Sequence, residues 1–245
     1  MKLPSPPSSG EARLSGRGLA VMILLPAALL VGLSVVVRVT DLDRQWMQAI
    51  FDRHGGFLTD ANWYCWLTYH LGTKPALTLS VGGLLGLLAS IKVTLIRPWR
   101  RWMTLAVFTM LLGPGLLVNA IFKDHYGRPR PVQTEQFGGS LPFRAVGEMG
   151  IAGKGRAFPS GHASMGYYLM FPFFALLLAH PRWAWGFLGL GIAGGLIVGY
   201  GRMLMGGHWP TDVLWSGGMV YFSGLIVAVA CGLLPLERRA FRRHV

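Results

Sequence analysis

Long apolar runs separated by short polar segments dominate this chain. Six of them are Gly18–Val37, Ala76–Ile96, Trp102–Phe122, Ala163–Ala179, Trp183–Tyr200 and Asp212–Pro235. A helix needs roughly 20 mainly apolar residues to cross the hydrocarbon core of a bilayer. The pattern therefore predicts an all-α polytopic membrane protein with six transmembrane helices. The second run carries Lys92 near its end, where a long side chain can snorkel to the interface. The fourth is short and holds Pro172, which a membrane helix tolerates when neighbours re-satisfy the freed backbone. The first is too long for a signal peptide, and no small-residue cleavage site follows it. No internal repeat is visible. Residues 1–17, rich in Pro, Ser and Gly, are expected to be a flexible cytoplasmic tail, and 18–245 a single membrane domain.

Composition agrees with this reading. Of 245 residues, 52% are hydrophobic and 13% charged, so disorder is excluded. Two cysteines exclude a disulfide scaffold. Cys65 is expected on the outer side and Cys231 inside the sixth run, an arrangement against pairing. A net charge of +13 on a soluble chain would point to nucleic acid. On so apolar a chain it points to the membrane, and no nucleic-acid partner is expected.

Six spans put both termini on one side. That side carries Lys or Arg at about one residue in three, the opposite side at about one in eight, so the termini are read as cytoplasmic. The raw counts on the two sides are equal, because several outer cations belong to the motifs below. The outer stretch Asp41–His70 mixes Trp46, Met47, Ile50 and Phe51 with charges at roughly helical spacing. It fits either an interfacial helix or an ordinary packed one.

Three polar clusters fall at the ends of the runs, all on the outer face. The first is Lys123–Pro131, after the third run. The second is Pro159-Ser160-Gly161-His162, before the fourth. The third is Gly201–Asp212, between the fifth and sixth. Lys123, Arg130 and Arg202 are permanent cations suited to an anion with several oxygens, and an Arg fork can hold phosphate by two bonds. Lipid headgroup contact is the plainer use of any one of them. Ser160 reads as a helix N-cap, so free N–H groups of a helix start face outward. Asp212, in the first turn after Pro210, can reach back to His208. A carboxylate on one ring nitrogen fixes the tautomer and leaves the other as nucleophile or base. A zinc site or a structural cap would use the same pair, but no further ligands stand out and the nearby cations oppose a metal.

Lys123-x6-Arg130-Pro131, then Pro159-Ser160-Gly161-His162, then Arg202-x5-His208-x3-Asp212 resembles the three-part signature of the type 2 phosphatidic acid phosphatase superfamily. Order and spacing both match. One departure is Gly201, where the family usually has Ser. That loss is expected to alter hydrogen bonding around Arg202 without loss of chemistry. Arg128-Pro129 offers a second register for the first motif, but only Arg130 gives the six-residue gap. Phe122–Pro131, Phe137–Gly139 and Asp212–Gly218 look most like bacterial lipid A 1-phosphatases.

The resemblance implies an active site at the periplasmic ends of helices three to six, in a bacterial-type inner membrane. His208 is then the nucleophile that becomes a phosphohistidine, Asp212 its orienting partner, and His162 the general acid and later base. Lys123, Arg130, Arg202, Ser160 and Gly161 would bind the phosphoryl oxygens. Gly206-Gly207 would let backbone approach the phosphate. No metal or cofactor is expected. The implied substrate is a lipid phosphate or diphosphate: lipid A 1-phosphate, undecaprenyl diphosphate, phosphatidylglycerophosphate or phosphatidic acid. Loop 132–157, with Arg144, Lys154 and Arg156, would contact a second anionic group, form a lid, or be simply solvated. A lipid-to-lipid phosphotransferase, a lipid transporter and a haloperoxidase are the alternatives. The scarcity of mid-span charges disfavours the transporter, and the six spans disfavour the haloperoxidase. The sequence leaves the oligomeric state open.

Overall fold

A computed structural model describes residues 13–237. Among them the protein is all-α, with two isolated bridges and no strand. Five helices are long and apolar enough to cross a membrane. They are α1 (Gly16–Thr40), α3 (Trp63–Ala89), α4 (Thr94–His125), α7 (Pro181–Leu204) and α8 (Pro210–Ala230). Between them lie α2 (Leu42–His54), α5 (Gly161–Tyr168) and α6 (Pro172–Leu176).

The fourth expected span is thus two short helices. Pro172 has no N–H to donate. The chain tightens before it, with Leu169, Met170 and Phe171 each donating to the carbonyl three residues back. This broken segment is the most enclosed part of the bundle: Ala163, Tyr168 and Phe174 are fully buried. By contrast, α1 and α3 leave most of their apolar side chains exposed, as suits helices facing lipid.

Glycine contacts bring α7 against the broken segment. A Cβ on Gly191 would lie 2.5 Å from the Met170 backbone, one on Gly195 would enter the Tyr167 ring, and one on Gly199 would strike Val213. Close approach along a stripe of small residues is the expected packing mode in a membrane. It sets α7 and its terminal Arg202 rigidly beside α5 and α8.

Other boundaries move. The second span begins at Trp63, not Ala76, and ends at Ala89. Its first turns are rich in Trp, Tyr and His, which lowers hydropathy and hid them. Ile91 to Ile96 instead form a turn and the start of α4. The last helix stops at Ala230, so Cys231 caps it and does not lie inside a span. Both cysteines are free, and Cys65 is buried. Within α4, Leu111–Phe122 winds as a π-helix around Pro114, and the Asn119 side chain donates to the Pro114 carbonyl at 2.7 Å.

Within Asp41–His70, α2 packs one face against the bundle and leaves Trp46 exposed on the other. Met47 and Ile50 are buried, and Phe51 meets Phe57 and Phe137 at centroid distances of 5.1 and 5.2 Å. Most of the expected N-terminal tail lies outside the described residues. Leu14 is within them, and it is held: its N–H donates to Pro235 and its carbonyl accepts from Glu237.

Candidate active site

Four helix ends meet at one end of the bundle, and the three sequence motifs sit on them. Lys123 closes the π stretch of α4. Ser160 caps α5, accepting from the Ala163 N–H at 3.4 Å. Arg202 lies in the last turn of α7, and Asp212 in the first turn of α8. Ser216 ties two of these ends together by donating to the carbonyls of both Ser160 (2.9 Å) and Asp212 (2.7 Å).

His208 is buried in the turn before α8. Its Nδ1 lies 2.6 Å from the Ala157 carbonyl and 3.8 Å from Asp212 Oδ2. Nδ1–H therefore donates to Ala157, which leaves Nε2 with its lone pair free. The sequence reading assigned that orienting bond to Asp212. In the fold the carboxylate is instead a charged neighbour, held by the Trp209 N–H at 2.7 Å and Arg128 Nη1 at 2.6 Å. Burial, chiefly, pushes the His208 imidazole below its ordinary value, and Asp212 partly offsets this.

Arg128, which the six-residue gap set aside in favour of Arg130, stands directly behind the candidate site. It is fully buried and makes ion pairs with Asp212 and with Asp43 of α2, the latter at 2.7 Å. It also donates to Thr211 Oγ1 at 2.8 Å and to the Arg144 carbonyl at 2.9 Å. Asp43 in turn accepts from both the N–H and the hydroxyl of Thr211. One guanidinium thus faces two carboxylates, a cluster of net charge −1 beside His208. That surplus suits a histidine that becomes cationic. The repeated Arg-Pro was a signal for Arg128, whereas Asp43 stands in no motif.

The remaining cations gather across the site. Lys123 Nζ donates to Asn119 Oδ1 at 3.3 Å, and both atoms come within 2.9 Å of where a Cβ on Gly161 would stand. Gly161 is therefore the residue that lets the ammonium reach the start of α5. Arg202 and Arg130 each bury an Nε with no partner, two of three such side-chain atoms among the described residues. Buried donors are normally satisfied, so two orphaned guanidinium N–H groups mark where an acceptor belongs. His162 faces this group. Burial comes first, then Arg202, His208, Lys123 and Arg130, and together they push its imidazole down to about 4. A phosphate dianion among the same cations opposes that shift.

The glycines of the third motif sit against Arg202 and Phe57. A Cβ on Gly207 would stand 2.8 Å from Arg202 Nη2, and Gly206, at φ 63°, packs on the Phe57 ring. They make room for the arginine and an aromatic. Gly201 has a partner too: a Cβ there would run into the hydroxyl of Thr68, so Thr68 fills the space a serine side chain would take.

Loop 132–157 lies along the first motif. Gly150, Gly153 and Ala157 donate to the carbonyls of Tyr126, Asp124 and Arg128. Arg156 pairs with Asp124 at 2.8 Å, and Arg38 at the end of α1 pairs with Glu148 at 2.8 Å. Among the described residues no group of three or more His, Cys, Asp or Glu stands together as metal ligands would.

The PAP2 superfamily model matches residues 102–234. The chain belongs to the PAP2 superfamily. Those residues include all three motifs, together with Arg128 and Thr211. Several curated relatives are named lipid A phosphatases. A lipid A 4'-phosphatase of Francisella tularensis subsp. novicida is 43% identical over 117 residues, covering 47% of this chain and 52% of that protein. One from Rhizobium leguminosarum is 37% identical over 49% of this chain and 52% of that protein. A lipid A 1-phosphatase of Rhizobium etli is 32% identical over 57% and 60%. The chain spans about half the length of the curated relatives it matches. No solved structure gives a significant match.

Proposed function

We propose that this PAP2 protein is an integral-membrane lipid phosphatase acting at the periplasmic face of a bacterial inner membrane. The observation that carries the reading is the meeting of His208 and His162 with Lys123, Arg130 and Arg202 at one end of an apolar bundle. At that depth a lipid phosphate can enter from the side while its tails stay in the bilayer. Six crossings, with the broken α5–α6 segment counted as one, put both termini on the opposite, cytoplasmic side. The high Lys/Arg density there supports that orientation.

The geometry supports the following chemistry. His208 Nε2 forms a bond to phosphorus as the bond from phosphorus to the lipid oxygen breaks. His162, protonated in the complex, gives its proton to that oxygen. It then takes a proton from water, which attacks phosphorus, breaks the P–N bond and releases inorganic phosphate. Lys123, Arg130 and Arg202 hold the phosphoryl oxygens throughout, with the Ser160 hydroxyl and the Gly161 N–H beside them. The Ala157 carbonyl fixes the His208 tautomer. Asp212, with the net negative cluster behind it, stabilises the cationic phosphohistidine.

The names of the relatives favour a lipid A phosphate ester over the other candidates, phosphatidic acid, phosphatidylglycerophosphate and undecaprenyl diphosphate. The stronger likeness is to 4'-phosphatases, whereas the sequence motifs pointed to 1-phosphatases. Phosphate release from lipid A 1-phosphate, lipid A 4'-phosphate and the other three lipids, in detergent with and without chelator, tests the reading. Chelator-insensitive release from one lipid A isomer is the expected result. No release from any of the five overturns it. Appearance of the phosphate on a lipid acceptor instead of in solution identifies a phosphotransferase.

A further inference from the structure

The π-turn Leu67–Leu71 of α3 lies outside every motif, yet it enters the site. Such turns are rare and often mark functional positions. The Tyr69 ring stacks on His162, with centroids 4.9 Å apart and planes 15° from parallel. The Arg202 guanidinium carbon lies 4.7 Å from the centre of the same ring. One aromatic side chain thus touches the group read as the general acid and one of the phosphate-binding cations. The turn is held in place from behind: Thr68 donates to the Tyr64 and Cys65 carbonyls and presses on Gly201, and Gly72 meets Val198.

We infer that Tyr69 is a positioning residue, whose ring fixes the plane of His162 and the guanidinium of Arg202 relative to the phosphate. The inference rests on the phosphatase reading above. Its physical basis is the negative face of the phenol ring, which attracts both an imidazolium and a guanidinium. The groups facing His162 are Arg202 from α7, Lys123 from α4, Arg130 from the loop beyond it and His208 from the turn before α8. All of these disfavour the imidazolium, and the Tyr69 face favours it. His70 also meets the Tyr69 ring, with centroids 4.9 Å apart and planes 84° from parallel. Without the ring, His162 holds its proton less well and is free to rotate.

The test is the pH dependence of kcat for wild type, Tyr69→Leu and Tyr69→Phe on whichever lipid phosphate the wild type hydrolyses. Tyr69 is partly exposed, at 38%, so the variants are expected to fold. Tyr69→Leu should lower kcat about tenfold and move the alkaline limb to lower pH by ~0.5 unit. Tyr69→Phe keeps the ring and should stay within about twofold of wild type. A Leu variant with wild-type kcat and limb position overturns the inference. So does a Leu variant in which KM alone rises, since the ring would then serve substrate binding. A Phe variant as impaired as Leu also overturns it, because the hydroxyl would be what matters. A wild type inert on every lipid phosphate overturns the phosphatase reading itself, and the inference with it.

Discussion

At the scale of single residues, the site is built by opposing charges that burial forbids from relaxing. Arg128 shows this most directly, because its guanidinium stands between Asp43 and Asp212 with all three out of water. Breaking a buried pair by removing one partner costs about 3–5 kcal/mol, since the remaining charges stay desolvated. Arg128→Met should therefore lower the thermal midpoint in detergent sharply and reduce turnover. A variant as stable and active as wild type would mean the cluster is not structural. His208→Ala should abolish phosphate release, and retained turnover would remove it as nucleophile. The profile of kcat against pH should be bell-shaped. His208 must be neutral, and burial holds its imidazole below the ordinary value, so the acid limb belongs to His208. The alkaline limb belongs to His162, which must carry a proton in the complex. A pH-independent rate between pH 5 and 9 would refute this division of roles.

At the scale of elements, small residues decide how closely helix ends and their side chains approach one another. Gly207 leaves room for the Arg202 guanidinium, with Nη2 standing 2.8 Å from a notional Cβ. Gly207→Ala should displace that cation and raise KM more than it lowers kcat, by about tenfold if one charge-assisted bond is lost. Steady-state kinetics on the identified lipid would measure the split. Gly201 and Thr68 form a second such pair across α7 and α3. Gly201→Ser restores the residue usual in the family, yet here its side chain meets the Thr68 hydroxyl. It should lower activity alone and recover when combined with Thr68→Ala. Additive effects in that double-mutant cycle would show that the two positions are independent. Neither pair is visible along the chain, because the residues meet only through helix packing.

For the whole molecule, long continuous apolar runs carried the membrane plan. They marked α1, α7 and α8 to within about five residues at each end and overlapped α3 and α4, because a stretch that must lie in hydrocarbon has little freedom in composition. Legibility failed where polar or aromatic residues occupied a helix end. Trp63 to Leu71 read as an outer segment, although it is the first part of α3. It failed again at Pro172, where an apolar run is two short helices. The +13 charge also resolves at this scale. Some cations crowd the expected cytoplasmic segments, and Lys123, Arg130 and Arg202 stand in the site.

The sequence by itself determined the class of fold and the family signature, and it named His162, His208, Asp212 and the three cations as the candidate site. Spacing alone carries those, since each motif is local and sits at the end of an apolar run. Only the tertiary structure decided that Ala157 holds His208, that Arg128 and Asp43 stand behind Asp212, and that Tyr69 reaches His162. Those partners lie from 51 to 85 positions apart along the chain where a bond joins them. A carbonyl, a buried countercharge and a ring face leave no pattern in sequence, because what matters is where packing brings them.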